Sequence, residues 1–97
     1  MFARVSTMQG PPERTEEGIR QFQELTVATV KGLAGFKGAY LLVDRKSGKF
    51  VGITLWETEK DLQTSSAAAD RLRAQGAQTA GTATPPTVEI YEVAVQP

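Results

Sequence analysis

The sequence predicts an α+β domain, a four-stranded antiparallel sheet with two helices on one face. Three observations point there. Apolar runs with strand character alternate with stretches whose apolar residues recur every three or four positions. The polar turn Arg45-Lys46-Ser47-Gly48 joins two of the apolar runs, which is a hairpin signal. The resulting order, strand-helix-strand-strand-helix-strand, has the two-half symmetry of a split βαβ fold.

Phe2–Met8 alternates in pattern and includes Val5 and Thr7, which gives the first strand. Gly10-Pro11-Pro12 breaks it, and proline suits the first turn of a helix. Glu13, Glu16 and Glu17 put negative charge where the helix dipole favours it. Ile19, Phe22, Leu25, Val30 and Leu33 then form one apolar stripe on a helix of about 18 residues. Gly18 weakens this helix, and Gly32 and Gly35 end it.

Phe36–Asp44 and Lys49–Trp56 are the second and third strands. Both carry apolar residues on both faces, so a sheet covered on each side fits them. Thr58-Glu59-Lys60-Asp61 resembles a capping box, a hydroxyl with an acid three residues on. Leu62, Ser65, Ala69, Leu72 and Gly76 continue at helical spacing, a stripe small enough to lie close to its support. Gly76–Thr87 is small, polar and proline-ended and is expected to be a loop. Val88–Val95 is the last strand, with Glu89 and Glu92 on opposite faces.

Residues 1–97 therefore make one domain, and the simplest packing is the ferredoxin-like arrangement. It leaves one sheet face bare. A patch of that size normally marks an interface, so the bare face is expected to meet its copy in a two-fold homodimer.

The hairpin also predicts a register. If Asp44 pairs with Lys49, Val43 faces Phe50 and Leu41 faces Gly52. Ala39, Leu41, Val43, Phe50, Gly52, Thr54 and Trp56 then share one face, and Tyr40 falls on the other. That row is large at its ends and small in the middle. Helix side chains such as Phe22 must fill the gap, or it is a pocket, and an apolar pocket is the default ligand site.

Composition excludes much chemistry. There is no cysteine, histidine or asparagine in the chain. Disulfides, thiolate nucleophiles, Ser–His–Asp and Cys–His arrangements are therefore absent from one chain. No metal site or cofactor is expected. Eleven basic and eleven acidic residues cancel, which argues against nucleic-acid binding. An RNA-binding sheet would also need a glycine–aromatic signature that is missing. No segment approaches a membrane span. The first residues lack a secretory layout, so a cytoplasmic location is expected.

Gly35-Phe36-Lys37-Gly38-Ala39-Tyr40, the hairpin, and Leu55-Trp56-Glu57-Thr58-Glu59 together resemble the dimeric α/β-barrel superfamily. Within it, the branch that looks similar is that of antibiotic-biosynthesis-monooxygenase domains. The resemblance covers nearly the whole chain. It implies a dimer whose two sheets form a barrel, with a pocket in each subunit between sheet and helices. The group includes cofactor-free quinone-forming monooxygenases and haem-degrading enzymes. The haem-degrading branch uses an asparagine on the first strand, and a tryptophan and a histidine on the second helix. Those helical positions fall near Ser65 and Gln75 here, and asparagine is absent, so haem degradation is not expected.

The ligand-pocket candidates are Arg4, Phe22, Tyr40, Phe50, Thr54 and Trp56. Each has a plainer role beside the functional one. Trp56 is expected to hold the strand–helix corner, its indole N–H on backbone, with a pocket wall as its second role. Tyr40 and Tyr91 are expected to pack their rings and turn their hydroxyls to water. Arg4 is expected to be solvated or ion-paired, although an enolate is the charge it would neutralise in a pocket. Catalytic residues are not identifiable. The function expected is binding of a small apolar or aromatic molecule. The alternatives are a cofactor-independent monooxygenase acting on a polycyclic phenol or anthrone, and a structural or regulatory interaction module.

Overall fold

The computed structural model describes every residue from Met1 to Pro97. The elements are β1 (Phe2–Gln9), a 3-10 turn (Pro12–Arg14), α1 (Thr15–Gln21), a π-helical stretch (Phe22–Val27) and α2 (Ala28–Val30). They continue with β2 (Phe36–Asp44), β3 (Lys49–Trp56), α3 (Glu59–Thr64), α4 (Ser66–Ala80) and β4 (Thr87–Glu92). The strands form one antiparallel sheet in the order β2-β3-β1-β4. This is the ferredoxin-like α+β fold that the element order predicts.

The hairpin register is the expected one. Asp44 pairs with Lys49, Val43 with Phe50 and Leu41 with Gly52. The turn works because Gly48 adopts φ +79° and lies against the Gly10 carbonyl, leaving no room for a side chain. The Asp44 carboxylate accepts from the Lys46 and Ser47 backbone N–H groups at 3.0 and 3.4 Å.

The first helical run departs from an ideal stripe. Wider i→i+5 turns between Phe22 and Val27 change its phase. Leu25, expected in the core stripe, is instead exposed. Thr26 takes the inward place, so the row facing the sheet is Phe22, Thr26 and Val30.

The second run breaks at Ser65 and then continues further than the sequence suggests. Gly76 to Ala80 is helical rather than loop. Gly76 needs no side chain there, because a Cβ would sit only 3.2 Å from the Gln21 amide oxygen. The stop comes at Gly81, φ +71°. Thr82 N–H donates to the Ala77 carbonyl at 3.0 Å and Gly81 N–H to Gln78 at 3.2 Å, a Schellman ending. The last strand is shorter than expected. It ends at Glu92 rather than Val95, with one further bond from Val93 N–H to the Met1 carbonyl. As an edge strand it leaves both Glu89 and Glu92 in solvent.

Helices cover one face of the sheet. Val30, Trp56, Leu62 and Leu72 form the core, with Phe2, Leu33 and Phe36 packed around them. On the other face Tyr40, Leu42 and Tyr91 are at least half exposed. No helix is long and apolar enough to cross a membrane.

Candidate ligand pocket

The space between sheet and helices is solid at one end and hollow in the middle. The solid end is the Trp56 corner. Trp56 is fully buried and its ring meets Phe36 edge-on, with centroids 5.8 Å apart. Its indole N–H donates to the Thr54 hydroxyl at 2.9 Å, and not to backbone as expected. Thr58 caps α3 by accepting from the Asp61 N–H at 3.0 Å, which fixes the chain as it leaves this corner.

The hollow starts two residues back along β3. It measures about 80 Å³, several times the roughly 10–15 Å³ that admits one water. Its floor is the middle of the sheet, with Gly52 and Thr54 on β3 and Leu41 on β2. Gly18 and Phe22 on the first helical run and Ala69 and Gly76 on α4 form the roof. Glycines let the two layers approach closely around it. A Cβ on Gly52 would meet the Phe22 ring at 3.3 Å, and one on Gly18 would meet the Phe50 ring at 2.5 Å. Each ring thus packs directly onto a glycine, and the hollow is the space left beside them.

Of the candidates from the sequence, Arg4, Phe22, Phe50 and Thr54 come together on this wall. Trp56 and Tyr40 do not. Trp56 lies in the closed core beside the hollow, and Tyr40 projects from the opposite face with 59% of its surface exposed. The register already places Tyr40 away from the helices, and the size of Trp56 closes the space that its strand position borders.

Arg4 is neither solvated nor ion-paired. It is 5% exposed, on β1. Nη1 donates to the Ser65 hydroxyl at 2.9 Å, and Nη2 donates to the Leu62 carbonyl at 2.8 Å and the Ser66 hydroxyl at 3.2 Å. These acceptors gather where α3 gives way to α4. The ion pairs of the chain are Lys37–Glu57, Arg45–Glu16 and Arg73–Asp70, and none includes Arg4. Burial, and then repulsion from Arg73, lowers the Arg4 pKa from its ordinary value, while Asp70 raises it. An arginine remains charged at neutral pH even so.

Two wall residues have no signal in the apolar pattern. Arg73 on α4 borders the hollow and is bonded outward to Asp70. Gln21 borders it too, and its buried side-chain nitrogen has no hydrogen-bond partner. The i→i+5 turns that follow Gln21 are the one clue in the backbone, since such turns are frequent at functional sites. No aspartate, glutamate, tyrosine or lysine lines the hollow. The wall therefore has hydrogen-bond donors but no side chain suited to removing a proton near neutral pH.

Fold and hollow together define a ferredoxin-like domain with a partly open space between sheet and helices. Residues 1–77 match the family described as antibiotic biosynthesis monooxygenase, and the chain belongs to that family. The uncharacterised protein Rv2557 of Mycobacterium tuberculosis is 31% identical over 97% of this chain. The chain spans about two fifths of that relative's length, 41%. Among solved structures, the chain is similar to the monooxygenase ActVA-Orf6 of Streptomyces coelicolor, solved in complex with nanaomycin D. The TM-score is 0.79 and the identity 19%, covering 99% of this chain and 91% of that one. It is also similar to the haem degrader MhuD of M. tuberculosis, solved with two haems in its active site. There the TM-score is 0.72 and the identity 20%, covering 99% and 98% of the two chains. At such identities the likeness shows the fold, and two different chemistries on one fold leave function to the site.

Proposed function

We propose that this protein is a cytoplasmic homodimer that binds a small apolar or aromatic molecule between sheet and helices. The hollow carries the reading. It is walled by Phe22, Phe50 and Leu41, bordered by Gly18, Gly52 and Gly76, and supplied with a few polar groups. The homodimer forms through the open sheet face, where Tyr40, Leu42 and Tyr91 otherwise present apolar surface to water. The test of the hollow is occupancy. Ala69→Phe places a ring inside it, and binding of naphthalene-sized probes measured by calorimetry is expected to fall at least tenfold. Undiminished binding would reject this site. Sedimentation at micromolar concentration tests the dimer, and a monomer there rejects it. Fractionation of expressing cells tests the location.

A second reading is a cofactor-independent monooxygenase on a polycyclic phenol or anthrone. Family membership favours it. In that chemistry the substrate supplies the electrons to oxygen, and the protein holds and ionises it. The wall lacks a base, so the substrate would have to reach the pocket already ionised or lose its proton to water under the field of Arg4. Incubation with anthrone-type phenols and oxygen yields coloured quinone under this reading. Binding without turnover leaves the first reading, and neither binding nor turnover favours a structural or regulatory module.

A further inference from the structure

We propose that the ligand of this pocket is an anion, an aromatic body carrying a carboxylate or phenolate oxygen, and that Arg4 receives that oxygen. The inference rests on the pocket reading above and adds the charge of the occupant.

The first argument is an unbalanced charge. Arg4 is 95% removed from solvent by its 5% exposure, and no carboxylate lies within 4.0 Å of it. Removing an ion from water carries a penalty that can exceed what an ion pair returns. Three hydrogen bonds to neutral oxygens offset part of this. They use three of the five guanidinium donors. Nε–H and one N–H on Nη1 have no protein partner, and the residue borders the hollow.

The second argument concerns the neighbours. A guanidinium serving only as a strut between β1 and the α3–α4 joint gains nothing from a second guanidinium nearby. Yet Arg73 stands on the same wall, close enough to repel it. The one carboxylate in the group, Asp70, is bonded to Arg73, and its side chain is 68% exposed. Arg4, Arg73 and Asp70 therefore leave one positive charge beside an apolar space.

The third argument is the unpartnered polar group at the far end. Met8, four residues from Arg4, stands next to Gly76 and Gln21. Four residues of strand are roughly 13 Å. The Gln21 amide is there, with an unpartnered nitrogen that donates and an oxygen that accepts. The Thr54 hydroxyl already accepts from Trp56. A wall with an unpartnered donor at each end and no acid between them suits a ligand that carries its charge at Arg4 and turns a neutral polar group toward Gln21.

The test compares probes of equal shape and different charge on the full chain. Calorimetry is expected to show 2-naphthoate binding at least tenfold more tightly than 2-naphthamide, and 4-nitrophenol more tightly above its ionisation than below it. Arg4→Met is expected to abolish the preference, and Arg4→Lys to keep part of it. Should Arg4→Met fail to fold, Arg73→Met is expected to reduce the preference several-fold, and the wild-type comparison decides by itself. Equal or tighter binding of the neutral probes by the wild type overturns the anion proposal and leaves the pocket reading standing. Binding of none of the probes overturns both.

Discussion

Trp56 and Gly52 lie on the same face of the same strand, four residues apart, beneath the same helices, yet one end is closed and the other open. At Trp56 a large ring, Phe36, Leu62 and Leu72 fill the space completely. At Gly52 the Phe22 ring lies over the strand, and beside it, bordered by Gly18, Ala69 and Gly76, a hollow remains. Topology is common to both regions. Side-chain volume separates them: the closed end holds the helices on the sheet, and the open end leaves a hollow between the two layers.

The largest expected effect breaks the closed end. Trp56→Ala removes a fully buried ring and is expected to destabilise the chain by about 3–5 kcal/mol, as read by denaturant unfolding. A loss below about 1 kcal/mol would mean that the corner relaxes freely, and the contrast between the two ends would not hold.

Much of this contrast was legible in the sequence. The polar turn fixes the hairpin register, and the register puts Gly52 and Thr54 between Phe50 and Trp56. Glycine and threonine leave room that a helix side chain must fill or a pocket must occupy; over Gly52 the Phe22 ring fills it, and the hollow lies beside that ring. Its roof was harder to read. An apolar stripe identifies the inward face of a helix only while the helix keeps its pitch. The i→i+5 turns turn Leu25 outward and Thr26 inward, and periodicity cannot register that. Gln21 and Arg73 escaped for a related reason, since polar residues carry no weight in a hydrophobic stripe. Arg4 shows the opposite limit. Its strand position marked it as a wall residue, but burial without a carboxylate depends on where Ser65, Ser66 and the Leu62 carbonyl arrive in space.

The next effect tests the boundary. Thr54 belongs to both regions, accepting the Trp56 indole bond and lining the hollow. Thr54→Val keeps the shape and leaves a buried N–H unpaired. A loss of about 1–3 kcal/mol is expected. A neutral result would mean that water reaches the indole from the hollow, and the two regions would then be one. Ala69→Leu tests the open end from the other side. In a close-packed interior, added methylenes strain the core by about 1–3 kcal/mol. Here they enter existing space, so the change in stability is expected to stay below about 1 kcal/mol in either direction. A loss as large as overpacking produces would show that the hollow closes in solution.

The smallest expected effect is the most informative about use. Gln21→Leu replaces a buried amide whose nitrogen has no partner with an apolar side chain of similar length. A protein under selection for stability alone gains from this exchange, because the unsatisfied donor carries a desolvation penalty and the leucine does not. Stability is therefore expected to hold or rise by up to about 1 kcal/mol, while binding of 2-naphthoate weakens. Stability and binding moving in opposite directions would mark Gln21 as kept for a ligand. If instead Gln21→Leu destabilises the chain and leaves binding unchanged, the amide has a structural partner such as an internal water. The open end would then be part of the core that Trp56 already represents.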